Sequence, residues 1–127
     1  MEFNIKKSED FKNTVVPEGE YQTVLVKIDS ERIPAGEYGK RLAFDFEITS
    51  GEFKDLIVSS IVYDNFTERS RAGKLVMKMA GKDIIDEDFK VDAVDLLNKA
   101  YRVFIETIPA KGDRQAYSVI GKVLGRV

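Results

Sequence analysis

From Leu42 to Ile48 the chain alternates between Leu, Phe, Phe, Ile and Ala, Asp, Glu. That period of two predicts a strand with one face in a core and the other in water. Ahead of it, Val16-Pro17-Glu18-Gly19-Glu20 opens a first strand expected over Tyr21 to Ile33, long enough to bend round a small barrel. Pro34-Ala35-Gly36-Glu37-Tyr38-Gly39-Lys40 turns the chain into a second strand expected over Lys40 to Ser50. A third, Phe53 to Tyr63, is apolar on both faces at its middle, with Leu56, Ile57, Val58, Ile61 and Val62. One face is core; the other calls for a cover by a helix, the N-terminal arm or a second subunit, because a bare apolar strand face invites aggregation.

After Phe66 the period lengthens. Ala72, Leu75, Val76 and Met79 fall on one helical face of roughly four turns, with Thr67 as the expected cap and Gly81 as the stop. Asp83 to Asp88 is an acidic loop without the alternate spacing and central glycine of a calcium loop. Asp92 starts a short helical turn through Leu97, and Asn98-Lys99 forms a tight turn with Asn98 left-handed. Closing strands are expected over Ala100 to Ile108 and Gln115 to Val123, joined by Pro109 to Arg114. The predicted class is therefore mainly β: residues 1–15 an N-terminal arm, and residues 16–127 one domain of five strands with a helix between the third and fourth. That order is the order of the OB-fold, a Greek-key barrel that commonly binds oligonucleotides or oligosaccharides.

The 127 residues contain no histidine and no cysteine. The usual general base, zinc ligands and Ser-His or Cys-His nucleophile pairs are thus missing, which argues against an enzyme. No phosphate-binding glycine motif occurs, so nucleotide hydrolysis has no support, and no cofactor or metal is expected. An apolar run near the ~20 residues of a membrane span is lacking, as is a secretory signal at the N-terminus, so the expectation is a soluble, cytoplasmic protein without a membrane partner. The net charge of −2 hides an uneven distribution: residues 1–68 carry 8 basic and 14 acidic side chains, residues 69–127 carry 12 and 8. A local basic surface matters more for polyanion binding than the sum does.

Candidate binding residues follow from that distribution. Tyr38, Lys40 and Arg41 set an aromatic beside two cations on the first turn, and Lys111 and Arg114 occupy the last. The sequence reading brings these two turns to one mouth, as the two lips of a groove. Between Arg69 and Lys82 stand five cations and no anion; Arg69, Arg71 and Lys74 are the candidates for phosphate contact there, although any surface helix needs a charged face. Phe53 and Lys54 complete the set. Phe53, Tyr63, Phe66, Tyr101 and Tyr117 are candidate stacking platforms, of which most should be core and one or two should face a ligand. Asp45 and Glu47 count against a ligand lying flat on the second strand, where they would repel phosphates.

Pro17-Glu18-Gly19-Glu20-Tyr21, the strand Leu42 to Ile48 leading into Gly51-Glu52-Phe53-Lys54-Asp55, Lys74-Leu75 near Ala80-Gly81, and Asp95-Leu96-Leu97-Asn98-Lys99 come in an order that resembles phage and prophage single-stranded DNA-binding proteins. The resemblance spans most of the chain from Val16 onward, and Asn98 stands where members usually have glycine. It implies an OB-fold that binds single-stranded DNA without marked sequence preference in phage replication or recombination. It further implies no cofactor, a homo-oligomer with a dimer as the first expectation, replication or recombination proteins as partners, and the host cytoplasm as location. The competing expectation is a structural or protein-interaction β-barrel of phage type, with the outer face of the third strand as its interface.

Overall fold

The computed structural model describes residues 2–3, 15–31, 33–82 and 90–127. Most of the expected N-terminal arm and the acidic loop at 83–88 lie outside the described residues. Five strands, β1 (Gly19–Asp29), β2 (Arg41–Ile48), β3 (Ile57–Tyr63), β4 (Ala100–Ile108) and β5 (Tyr117–Arg126), and two helices, α1 (Arg71–Met79) and the four-residue α2 (Ala93–Leu96), make a mainly β domain.

The strands form one antiparallel sheet in the order β3-β2-β1-β4-β5. β1 is central because its two halves serve different neighbours: Gly19 to Val24 pair with β4, and Thr23 to Asp29 pair with β2. A register break between Leu25 and Lys27 falls where β1 changes partner, and bulges of this kind sharpen a strand's bend. Beside it, Asn98 donates its N–H to the Leu25 carbonyl at 2.7 Å from a left-handed backbone with φ 62°, as its sequence position predicts. The sheet curls enough for β3 to come near β5, but no ladder joins them, so it is not closed into a barrel. α1 packs across this seam against both strands.

In β2 the inward face read from the sequence is apolar and buried, but the other face is not in water, since Ala43 and Asp45 are buried as well. Phe44, Phe46 and Ile48 point into a core shared with Leu25, Val58, Val62, Tyr101, Val103, Ile105 and Ile120, and α1 adds Ala72, Leu75 and Met79. Tyr101 is fully buried, edge-on to Phe46 at 6.2 Å, and donates its hydroxyl to the Leu96 carbonyl at 2.8 Å. Burial pushes its phenol above the usual range, partly offset by Arg126. This aromatic is therefore core and not a stacking platform. The segment before β1 docks on β5 through Val16, whose N–H donates to Ser118 Oγ at 2.8 Å.

Several boundaries move for local reasons. β1 stops at Asp29, whose carboxylate accepts from the Glu31 N–H at 2.9 Å and turns the chain four residues before Ile33. β3 starts at Ile57, because Asp55 takes a left-handed backbone with φ 75° and residues 52–55 form a turn. Ser70, and not Thr67, caps α1: its Oγ accepts from the Gly73 N–H at 2.9 Å, while Thr67 Oγ1 accepts from the Ser70 N–H one turn earlier at 3.1 Å. The helix is nine residues long, about two and a half turns instead of four. β5 runs past Val123 to Arg126, and Val127 still donates to the Ala100 carbonyl at 3.1 Å.

Candidate functional site

The β1–β2 turn is a tight hairpin. Gly36 and Gly39 exchange backbone hydrogen bonds at 2.8 and 3.2 Å, leaving Glu37 and Tyr38 at the tip. Gly39 has φ 112°, which a residue with a side chain rarely adopts. Arg41 braces the base by donating Nε to the Pro34 carbonyl at 3.0 Å. Tyr38 is 79% exposed, yet its ring is not loose: it meets Tyr63 edge-on, centroids 5.5 Å apart at 78°. Tyr63, at the end of β3 and paired with Arg41, lies so close over Gly36 that an added Cβ would stand 2.5 Å from its hydroxyl oxygen. Two tyrosines, Arg41 and the exposed Lys40 thus form an ordered aromatic and cationic lip.

The β4–β5 turn is built alike. Lys111 and Arg114 exchange two backbone bonds of 3.0 Å, and Arg114 Nη2 donates to the Pro109 carbonyl at 3.4 Å. Its guanidinium also lies 5.5 Å over the Tyr117 ring, a cation–π contact that takes up that aromatic's face. The expectation that both turns converge on one mouth does not hold. β4 runs antiparallel to β1, so its C-terminal end, with Lys111 and Arg114, projects beyond the start of β1, whereas Tyr38, Lys40 and Arg41 follow its end. The turns bracket the sheet from opposite ends.

Phe53 and Lys54 lie at the far end of the β2–β3 hairpin from Tyr38. Phe53 is half-buried edge-on to Tyr21 at 6.4 Å and packs on the core, while Lys54 is exposed in the turn. Asp45 is not the surface charge the alternation implied. It is 3% exposed and accepts a hydrogen bond from Ser59 Oγ at 2.5 Å, so the sheet itself takes up this carboxylate. Across the same face, Ile57 and Ile61 remain 41 to 44% exposed, so the apolar side of β3 is only partly covered.

Arg69, Arg71 and Lys74 line a cleft of about 480 Å³ between α1 and β5, together with Lys78 and Lys122. Its floor is Leu75, Val123 and Gly121. Among the described residues no acidic one lines it, although an added Cβ on Gly121 would stand 2.6 Å from the Glu106 carboxyl carbon, so this carboxylate lies at its margin. A larger cavity of about 670 Å³ opens among Ile28, Leu42, Phe66, Val76, Met77 and Leu96, apolar apart from Thr67, Glu68 and Lys90. Among the described residues its lining gathers no set of groups for acid–base or nucleophilic chemistry. Among the described residues no cluster of acidic side chains is arranged to hold a metal ion, and no helix is long and apolar enough to cross a membrane.

Sequence reading placed Tyr38, Lys40 and Arg41 correctly on one turn but did not pair Tyr38 with Tyr63, 25 positions along the chain. It also missed Lys122, which joins the helix cations only because α1 packs on β5. The spacing of Arg71, Lys74 and Lys78 was the available signal for that face. No known family model and no curated protein matches the chain.

Proposed function

We propose that this domain binds single-stranded DNA without sequence preference, as a non-catalytic factor in replication or recombination. The observation that carries the proposal is Tyr38, solvent-exposed yet held edge-on by Tyr63 beside Arg41 and Lys40. A base has an apolar face and a charged backbone, so an ordered exposed ring next to cations serves both, and every base offers the same π-face. The finer fold assignment belongs to the same proposal: the strand order, the helix between β3 and β4 and the approach of β3 to β5 agree with an OB-fold barrel left open at that seam. The resemblance to phage single-strand binders points the same way.

Fluorescence anisotropy of labelled oligo-dT and of a duplex, titrated with protein at several salt concentrations, tests the reading. Binding to oligo-dT that exceeds duplex binding and weakens as salt rises is the expected result. Absence of oligo-dT binding at low salt by folded protein would overturn it.

Exposed Ile57 and Ile61 on the edge strand β3 favour a second reading, in which this face joins two copies of the chain. Light scattering across a concentration series should then show a dimer that Ile61→Lys converts to monomer. A wild-type monomer at all concentrations would remove it.

A further inference from the structure

The stacking lip accounts for bases; the α1–β5 cleft has the chemistry of a different part of the ligand. Arg71, Lys74 and Lys78 recur at spacings of three and four, which puts them on one side of α1, and β5 supplies Lys122 opposite. Arg69 stands just before the helix, at the same cleft. Among the described residues Arg69, Arg71, Lys74 and Lys122 make no ion pair. Two of them precede or begin a helix whose first turn has no acidic residue, so they add positive charge to the positive end of the helix dipole. Converged cations repel one another and destabilise the empty cleft, and a bound polyanion relieves that repulsion. Among the described residues no aromatic one lines the cleft, so its cations face a backbone and not a base. Its 480 Å³ opens to solvent between the cations of α1 and Lys122 of β5, over Leu75, Gly121 and Val123, and so admits a backbone.

We infer that the α1–β5 cleft is a phosphate-backbone subsite, holding the phosphodiester chain of a single strand through Arg69, Arg71, Lys74 and Lys122 and ignoring its bases. The inference rests on the single-strand reading for the identity of its ligand, but it assigns a separate surface and a separate chemistry. Only six positions separate Tyr63 of the lip from Arg69, so an extended chain spans at most about 20 Å between them. One strand can therefore meet both.

The test uses the full chain and two fluorescein-labelled probes of equal length, oligo-dT and an abasic phosphodiester oligomer that keeps the phosphates and lacks the bases. Each is titrated with wild type and with the Lys74→Gln, Lys122→Gln double variant over a range of salt. Both replaced lysines are exposed, and thermal melting confirms that the variant is folded. The expected result is that wild type binds both probes, and that the double variant weakens both and flattens the plot of log affinity against log salt by about 1.4, at about 0.7 for each lost phosphate contact on a single strand. Binding of oligo-dT with an unchanged salt slope in the variant overturns the cleft and leaves the single-strand reading standing. Variant-sensitive binding of the abasic probe with no preference for oligo-dT supports the cleft and removes base stacking from the proposed function. Failure of wild type to bind either probe at low salt overturns both.

Discussion

The Tyr38 lip and the α1–β5 cleft meet a ligand with opposite means. At the lip, one ring is fixed by close packing: Gly39 permits the turn, Arg41 braces its base, and Tyr63 holds the Tyr38 edge over a glycine with no room for a methyl. At the cleft nothing is fixed so tightly. Long flexible cations converge there because a helix and a strand pack together. The contrast teaches that stacking depends on geometry and should fail on small steric changes. Phosphate attraction depends on charge and should fail gradually as charges are removed or screened.

The largest expected effect breaks the cleft through its scaffold. Alanine in a helix interior ordinarily stabilises over glycine by up to ~1 kcal/mol. At Gly73, however, an added Cβ would run into the Thr67 carbonyl oxygen, a backbone atom in the turn that presents Ser70 as the cap. Gly73→Ala should therefore destabilise the protein by about 1–3 kcal/mol, as overpacking does, in urea unfolding followed by circular dichroism. Unchanged or raised stability would show that the start of α1 is not held this way.

A smaller effect breaks the lip and spares the fold. Gly36→Ala puts a methyl against the outer end of the Tyr63 ring, which must shift and so give up its packing on Tyr38. The melting temperature should shift by no more than a few degrees, since surface changes are mostly within about 0.5 kcal/mol. Affinity for oligo-dT should nevertheless fall by up to about 1 kcal/mol as Tyr38 loses its support, a part of the ~1–3 kcal/mol that one stacked base contributes. Full affinity in this variant would mean that Tyr38 does not need Tyr63.

The smallest sharpens the cleft. Glu106→Gln removes a carboxylate at its margin and should tighten binding of the abasic probe by a few tenths of a kcal/mol, the scale of an exposed charge interaction. Weaker binding would place Glu106 on the ligand's side of the account.

How much of this was legible in the sequence differs between the regions. β4 was readable because local alternation and burial agree, and Ala100 to Ile108 begins and ends as expected. β2 was readable on its inward face, where Phe44, Phe46 and Ile48 are apolar and buried, but not on its other face, where Ala43 and Asp45 are buried too. β3 was misread at its start because Phe53 and Leu56 look strand-like while Asp55 holds a left-handed backbone that periodicity does not register. The halves of the candidate site fall on either side of the same divide. Tyr38 and Arg41 share a turn and read as a unit; Tyr63 and Lys122 join them only through strand pairing and helix packing between distant segments. The burial of Asp45 was hidden for the same reason, since its hydrogen bond comes from Ser59 on the neighbouring strand.

The central claim is that stacking at the lip and charge at the cleft act on one strand as separate contributions. A double-mutant cycle on oligo-dT tests it directly, with Tyr38→Ala, the Lys74→Gln, Lys122→Gln pair, and all three together measured across a salt series. The account predicts that Tyr38→Ala lowers affinity by about 1–3 kcal/mol at an unchanged salt slope, that the lysine pair flattens the slope, and that the two losses add within about 0.5 kcal/mol. A salt slope that Tyr38→Ala changes as much as the lysine pair does, or a lysine pair with no effect on slope, would contradict it.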